Sequence, residues 1–207
     1  LIFHHWLAAN QPERAVPHAI EAAVGSQHEL AARRVAKLCQ TALELLPVDH
    51  EARRHLCRAL AVSLANAGRG ADAAEWYLEA AMQSEGMEAL ELQRLAGDHL
   101  LRAGRFDEAI PILREVLAVV GVKLPDSGRQ ALTSLLWRRA RLRVRALRRA
   151  RPRSTDERLR MRADVCLSTG TTLAVVDPIA GASLHAQAML DAIELGDPDR
   201  MATALGM

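Results

Sequence analysis

The chain has 207 residues, half of them hydrophobic and a quarter charged, with a formal net charge of +2. That balance excludes a disordered chain, and the length suits one domain or one continuous solenoid. Aromatics are only 3%, so the interior has to be built from Ala, Leu and Val, a composition that favours closely stacked helices over a sheet.

The first ten residues, LIFHHWLAAN, carry neither a basic leader nor a cleavage site, so they do not read as a signal peptide. No run of about 18 apolar residues follows anywhere, which predicts no membrane-spanning helix. Turn signals then cut the chain at regular intervals: Asn10-Gln11-Pro12, Gly25-Ser26, Pro47 to Asp49, Gly68 to Gly70, Ser84 to Gly86, Gly104, Pro125 to Gly128, Pro152 to Thr155, Asp177-Pro178 and Gly196 to Pro198. The segments between them have helical periodicity. The expected fold is all-α, with about eleven helices and no strand. Pro12, Pro178 and Pro198 stand at first helical positions, where the missing N–H costs nothing. After Gly104 a helix is expected to open at Arg105 or Asp107, with Asp107 and Glu108 at the positive end of its dipole. Pro111 inside that helix should remove one hydrogen bond and bend it. The run RLRVR at 141–145 alternates like a strand. Its flanks continue a helical stripe of Leu132, Leu136, Ala140, Val144 and Leu147, so helix is the expectation, with that stripe facing inward. The last ten residues, PDRMATALGM, read as a helix with nothing to pack on. With no initiator Met, this suggests a piece of a longer chain.

Two stretches align without gaps: LCRALAVSLANAGRGADAAEWYLEAA (56–81) and LQRLAGDHLLRAGRFDEAIPILREVL (92–117). Gly68 matches Gly104, Ala73 matches Ala109, and Tyr77 matches Leu113, at an offset of 36 residues. Such a period means a two-helix unit repeated in series. Gly supplies the tight turn, Ala sits where helices cross most closely, and the larger residue one turn later fills the gap between units.

This pattern resembles the tetratricopeptide (TPR) family. Its positions are Leu60, Ala61, Leu64, Gly68, Ala73, Tyr77 and Ala80 in one unit, and Gly97, Leu100, Gly104, Phe106, Ala109 and Leu113 in the next. A weaker unit precedes them, with Cys39, Ala42 and Pro47 at the matching places. The large first-helix aromatic of the family is replaced by Cys57 and by Gln93. The resemblance implies one right-handed superhelical solenoid of stacked antiparallel helix pairs over 1–207. The repeats match better over 1–125, and divergent hairpins, including a basic helix at 129–150, fill 126–207. The opening HHWLAANQPERAVPHAIEAA, with ALELLP after it, resembles the start of the helical-repeat region of bacterial STAND-type regulators and of ATPase-linked Ser/Thr protein kinases. That likeness implies a cytoplasmic regulatory or sensor arm with a protein or peptide partner, which can be other domains of the same parent. Carried over position by position, the inner groove would be lined by His55, Arg58, Val62 and Asn66 from one unit. The next unit would add Glu91, Arg94, Asp98, Leu101 and Arg102. Arg58 and Arg94 occupy equivalent places and would offer two guanidinium groups to an acidic peptide. The alternative is a solvated, charged helix face.

Catalytic motifs are not found. The stretch GRGADAAEW has glycines without the Lys of a phosphate loop, and neither zinc spacing nor a nucleophile motif occurs. His4 and His5 diverge by about 100° on a helix and cannot readily share a metal. His18, His28, His50, His55, His99 and His185 are scattered, and Asp197 and Asp199 read as helix-start residues. The expectation is therefore no enzyme, no metal and no cofactor. Cys39, Cys57 and Cys166 sit in apolar helical contexts and read as small buried hydrophobes in a reduced protein. Trp6, Trp76, Tyr77, Phe106 and Trp137 read as wedges between helices.

Residues 129–153 hold ten of the 27 basic residues and no acid, so the rest of the chain sets 17 basic against 25 acidic residues, a net −8. Arg138, Arg141, Arg145 and Arg148 line one helical face, with Arg139 and Arg143 beside it. This face can be a solvated surface docked on the protein's own acidic body, or a contact for an acidic partner. It can also meet nucleic acid or an anionic membrane through residues 138–153, as in a transcription regulator. Arg suits phosphate and carboxylate equally. Stacking aromatics, usual in nucleic-acid modules, are missing beside it except for Trp137, which is expected in the core.

Overall fold

The computed structural model describes residues 2–25, 29–47, 50–147 and 156–205. Among these the chain is all-helical, with no strand. The helices are α1 (Ile2–Ala8), α2 (Pro12–Gly25), α3 (Glu29–Leu45), α4 (Ala52–Asn66), α5 (Gly70–Met82), α6 (Gly86–Arg102), α7 (Phe106–Val119), α8 (Gly128–Leu147), α9 (Glu157–Leu173), α10 (Pro178–Leu195) and α11 (Pro198–Leu205). The RLRVR run is helical, as its flanks require. The helices form two compact units, Leu1–Ala109 and Ile110–Met207, which part inside α7.

The sequence signals account for the helix ends. Asp177 accepts hydrogen bonds from the backbone N–H groups of Ile179 and Ala180 at 3.1 and 2.9 Å, with Pro178 opening α10 behind it. Asp197 caps α11 in the same way, through Asp199 and Arg200 at 3.1 Å each. At the other ends, Gly68 and Gly104 adopt φ of +76° and +79°, where a side chain would be strained. Around Gly68, the Arg69 N–H donates to Leu64 O at 2.9 Å and the Gly68 N–H to Ala65 O at 3.0 Å. Around Gly104, Arg105 donates to Leu100 O at 2.9 Å and Gly104 to Leu101 O at 3.0 Å. This paired pattern satisfies the last carbonyls of a helix and turns the chain. It returns at Gly121 and at Gly196. Even the ion pair after the turn repeats, as Arg69–Asp72 and Arg105–Glu108, both at 2.6 Å.

In the first unit, α2 packs on α1, α3 and α4; α4 packs on α3 and α5, and α5 on α6. Small residues sit at the crossings: Ala15, Ala19, Ala32, Ala42, Ala61, Ala73, Ala74 and Ala96 are fully buried, with Leu56, Leu60, Leu64 and Leu92 filling between them. Arg53 of α4 donates to Leu43 O and Leu46 O at 2.8 and 3.2 Å and so closes the end of α3. In the second unit α10 is central, packed on α8, α9 and α11. Leu184, Leu190 and Ala192 of α10 and Val165 and Cys166 of α9 are buried. The terminal α11 has a packing partner after all. It lies on α10, and its Arg200 holds Asp164 of α9 through two 2.8 Å bonds.

All three cysteines are free and buried. Burial, the largest effect on each, pushes Cys39 up to about 12, Cys57 up to about 11 and Cys166 up to about 12. The reactive species is the thiolate. In the native chain the thiols are therefore expected to react with an aromatic disulfide about two orders of magnitude more slowly than in urea. A fast native phase in a thiol titration would contradict the packing of α3, α4 and α9.

Candidate functional site

The predicted groove residues come from α4 and α6. His55, Arg58, Asn66, Glu91 and Arg102 are exposed, and Val62 is half-buried. Arg94, Asp98 and Leu101 differ from expectation. The Arg94 side chain is only 12% exposed and Asp98 and Leu101 are buried. Arg94 donates Nε and Nη2 to both carboxylate oxygens of Glu91 at 2.8 and 2.6 Å, and Nη1 to Asp98 at 2.5 Å. It is a locked structural cation between neighbouring turns of α6, not a mobile groove group. The spacing i−3 and i+4 around Arg94 carried this signal, because it places both acids on the same helical face.

Arg58 remains accessible. Its Nη1 lies 3.7 Å from Glu88, which also takes Arg54 at 3.1 Å. Neither Glu88 nor Arg54 was anticipated; they join α4 to the first turn of α6. Beneath this charged face lies Tyr77 of α5, buried and stacked on His99 with ring centroids 5.6 Å apart. Burial raises the pKa of the Tyr77 phenol, while Arg58 and Arg94 pull it down and Glu91 raises it. The two arginines thus act on one buried ring, though only Arg58 is open to solvent. Burial lowers the pKa of His99, Arg102 and Arg94 lower it further, and Asp98 opposes them. Gly70 opens α5 against this ring, where an added Cβ would touch His99 Nδ1 at 3.4 Å.

The basic helix α8 is turned the other way from expectation. Ala131 and Leu135 are its buried apolar residues. Arg138 follows them onto α10, donating Nε to Gln187 at 3.1 Å and Nη1 to Ser183 O at 3.2 Å and to Ser183 Oγ. Arg145 reaches Glu194 at 2.9 Å. The stripe expected inside is outside: Leu132, Leu136 and Val144 are exposed, and Trp137 is 67% exposed. The physical reason is that leucines lie on more than one side of α8. Ser183, Gln187 and Glu194 of α10 supply polar partners for arginines, whose alkyl stems pack as apolar surface. Arg139, Arg141 and Arg143 are exposed, and Arg148 lies outside the described residues, as do residues 148–153 of the proposed nucleic-acid contact.

Among the expected wedges, Tyr77 is buried and Trp76 half-buried. Trp6 is half-buried beneath the Arg14 guanidinium, 4.9 Å from the ring centre. Phe106 is exposed. His5 is exposed, and the His4 side chain and His28 lie outside what is described. Among the described residues no group of three or more His, Cys, Asp or Glu could hold a metal ion. No helix there is long and apolar enough to cross a membrane.

A polar cluster in the second unit was not anticipated. Arg162 of α9 donates Nε and Nη2 to Asp191 of α10 at 2.8 and 2.6 Å. Gln187 Nε2 donates to Asp191 at 2.9 Å. A single Asp inside the apolar run AMLDAIEL was the available signal, since a carboxylate there has to meet a cation. Comparison with protein-family models and with curated proteins gave no match to this chain.

Proposed function

We propose that the chain is a non-catalytic interaction module, its hairpins stacked TPR-like in a right-handed superhelical solenoid. It serves as the cytoplasmic regulatory arm of a larger bacterial signalling protein of the ATPase or Ser/Thr kinase type. The observation that carries this reading is the recurrence, 36 residues apart, of one helix–Gly turn–helix unit with the same turn hydrogen bonds. Units of this kind are buried by their neighbours and leave one helix face of each pair for a partner. Here that face presents His55, Arg58, Asn66, Glu91 and Arg102. The alternative, nucleic acid held by α8, loses support because Arg138 and Arg145 are engaged by α10.

The test is calorimetric titration of this chain with the remaining part of its parent polypeptide, produced separately. Arg58→Glu combined with Arg102→Glu reverses two exposed charges and is expected to weaken binding about tenfold, or ~1.4 kcal/mol, without shifting the melting temperature. Arg94 is left intact, because its removal would strip the buried Asp98 of its ion-pair partner. Equal affinity of the variant, or no binding between the two parts, would overturn the proposal.

A further inference from the structure

The second unit encloses a cavity of about 260 Å³ between the Gly121–Lys123 segment, α8, α9 and α10. Five cationic side chains reach it, Lys123, Arg138, Arg141, Arg145 and Arg162, against two carboxylates, Asp191 and Glu194. The carboxylates are already taken, Asp191 by Arg162 at 2.6 Å and Glu194 by Arg145 at 2.9 Å. Lys123, Arg138 and Arg141 therefore have no carboxylate partner among the described residues. Arg138 is the unusual one. Its Nε and Nη1 donate to neutral groups of Gln187 and Ser183, and its Nη2 has no protein acceptor among the described residues. A guanidinium drawn from water into a neutral setting is costly unless a counter-charge meets it. Burial correspondingly lowers the pKa of Arg138, and the neighbouring Arg141 lowers it further, against Cys166 and Asp191.

We infer that this cavity binds a small phosphate-bearing anion, with the spare N–H groups of Arg138, Arg141 and Lys123 as its donors. Three cations without an ion-pair partner among the described residues match the charge of a diphosphate better than that of a single carboxylate. Guanidinium forks fit phosphate oxygens in pairs. Arg141 and Lys123 are exposed, whereas Arg138 is half-buried. The volume is just below the range of about 300–1,000 Å³ usual for drug-sized ligands. It accommodates a diphosphate group, and any larger organic part would extend past the mouth.

The experiment titrates the full chain at low salt with inorganic pyrophosphate, with ADP and with sulfate at matched ionic strength. Saturable pyrophosphate binding, weakened about tenfold or more by Lys123→Ala with Arg141→Ala, is the expected result. Both substitutions are on exposed side chains, so the melting curve should be unchanged without ligand. Added pyrophosphate should raise the wild-type melting temperature by mass action and that of the double variant much less. Arg138→Gln should remove the response altogether. Tighter binding of ADP than of pyrophosphate would identify a nucleotide as the source of the diphosphate, and the reverse order a free phosphoanion. No saturable heat with millimolar pyrophosphate or ADP, unchanged affinity in the double variant, or sulfate binding as tightly as pyrophosphate would overturn the inference. So would duplex DNA that binds and is not displaced by pyrophosphate.

Discussion

Asp191→Ala is expected to cost the second unit about 3 kcal/mol of folding stability, because it strips a partly buried cation of its hydrogen-bonded ion-pair partner. Asp191 is 1% exposed, and both of its oxygens hold Arg162. The same carboxylate fixes Gln187, whose carbonyl oxygen in turn accepts from Arg138. Arg138 continues to Ser183, and the Ser183 hydroxyl donates to Ser134 at 3.1 Å. One carboxylate thus orders a chain of polar contacts across α9, α10 and α8. Without it, Arg162 would face Arg138, Arg141 and Arg145 with only Glu194 to offset them. Urea unfolding followed by helical circular dichroism measures the loss. Pairing Asp191→Leu with Arg162→Met should restore most of it, since removing both charges leaves no orphan. A loss below about 1 kcal/mol for the single variant would show that the pair behaves like an exposed surface salt bridge.

Gly181→Ala is the second large effect, and its sign runs against helix propensity. In a helix interior Ala is better than Gly by about 1 kcal/mol. Gly181, however, lies inside α10, where an added Cβ would come within 2.7 Å of both Cα and Cβ of Ala174 and 2.8 Å of its backbone nitrogen. Backbone atoms cannot swing aside, so α10 and the end of α9 would have to separate. A net loss of about 2 kcal/mol is expected, in the range of overpacked cores. Gly128→Ala is the control: it opens α8 with nothing within 4 Å of the added carbon, and should be neutral or slightly stabilising. If Gly181→Ala instead raised stability as the propensity scale predicts, the close approach of α9 to α10 would be wrong. Gly170→Ala should fall between the two, because its Cβ would meet the ring of His185 at 2.6 Å and a ring can turn.

The parts of the fold legible from sequence are those written in local chemistry. Pro after Asp or Gln marks a helix start whatever surrounds it, and Gly after an apolar helix marks its end. Hence α2, α10 and α11 begin at their prolines, and the turns at Gly68 and Gly104 agree down to single hydrogen bonds. Which side of a helix faces inward is written in its neighbours instead. For α4 and α5 the apolar side is unique and was readable. For α8 it is not: a Leu132–Leu136–Val144 side and an Ala131–Leu135 side are both apolar, and the choice is made by Ser183, Gln187 and Glu194, more than 35 residues further along the chain. The residues expected to line a groove show the same limit. Arg58 and Arg94 are equivalent in the repeat, but only Arg94 has acids three residues before and four residues after it. Local ion pairing therefore removes it from the face that Arg58 keeps.

The matched turns also bear on how such a chain can change in length. A segment running from Gly68 to Gly104 begins and ends in the same backbone geometry, with the same donors and acceptors waiting at each junction. Copying or deleting that segment in the gene would rejoin compatible ends and leave no helix terminus unsatisfied. The flanking hairpins would then have to accommodate only new side chains, such as Leu113 in the place of Tyr77. Growth by whole cassettes thus needs no new loop to be invented, and the adjustment falls on packing alone.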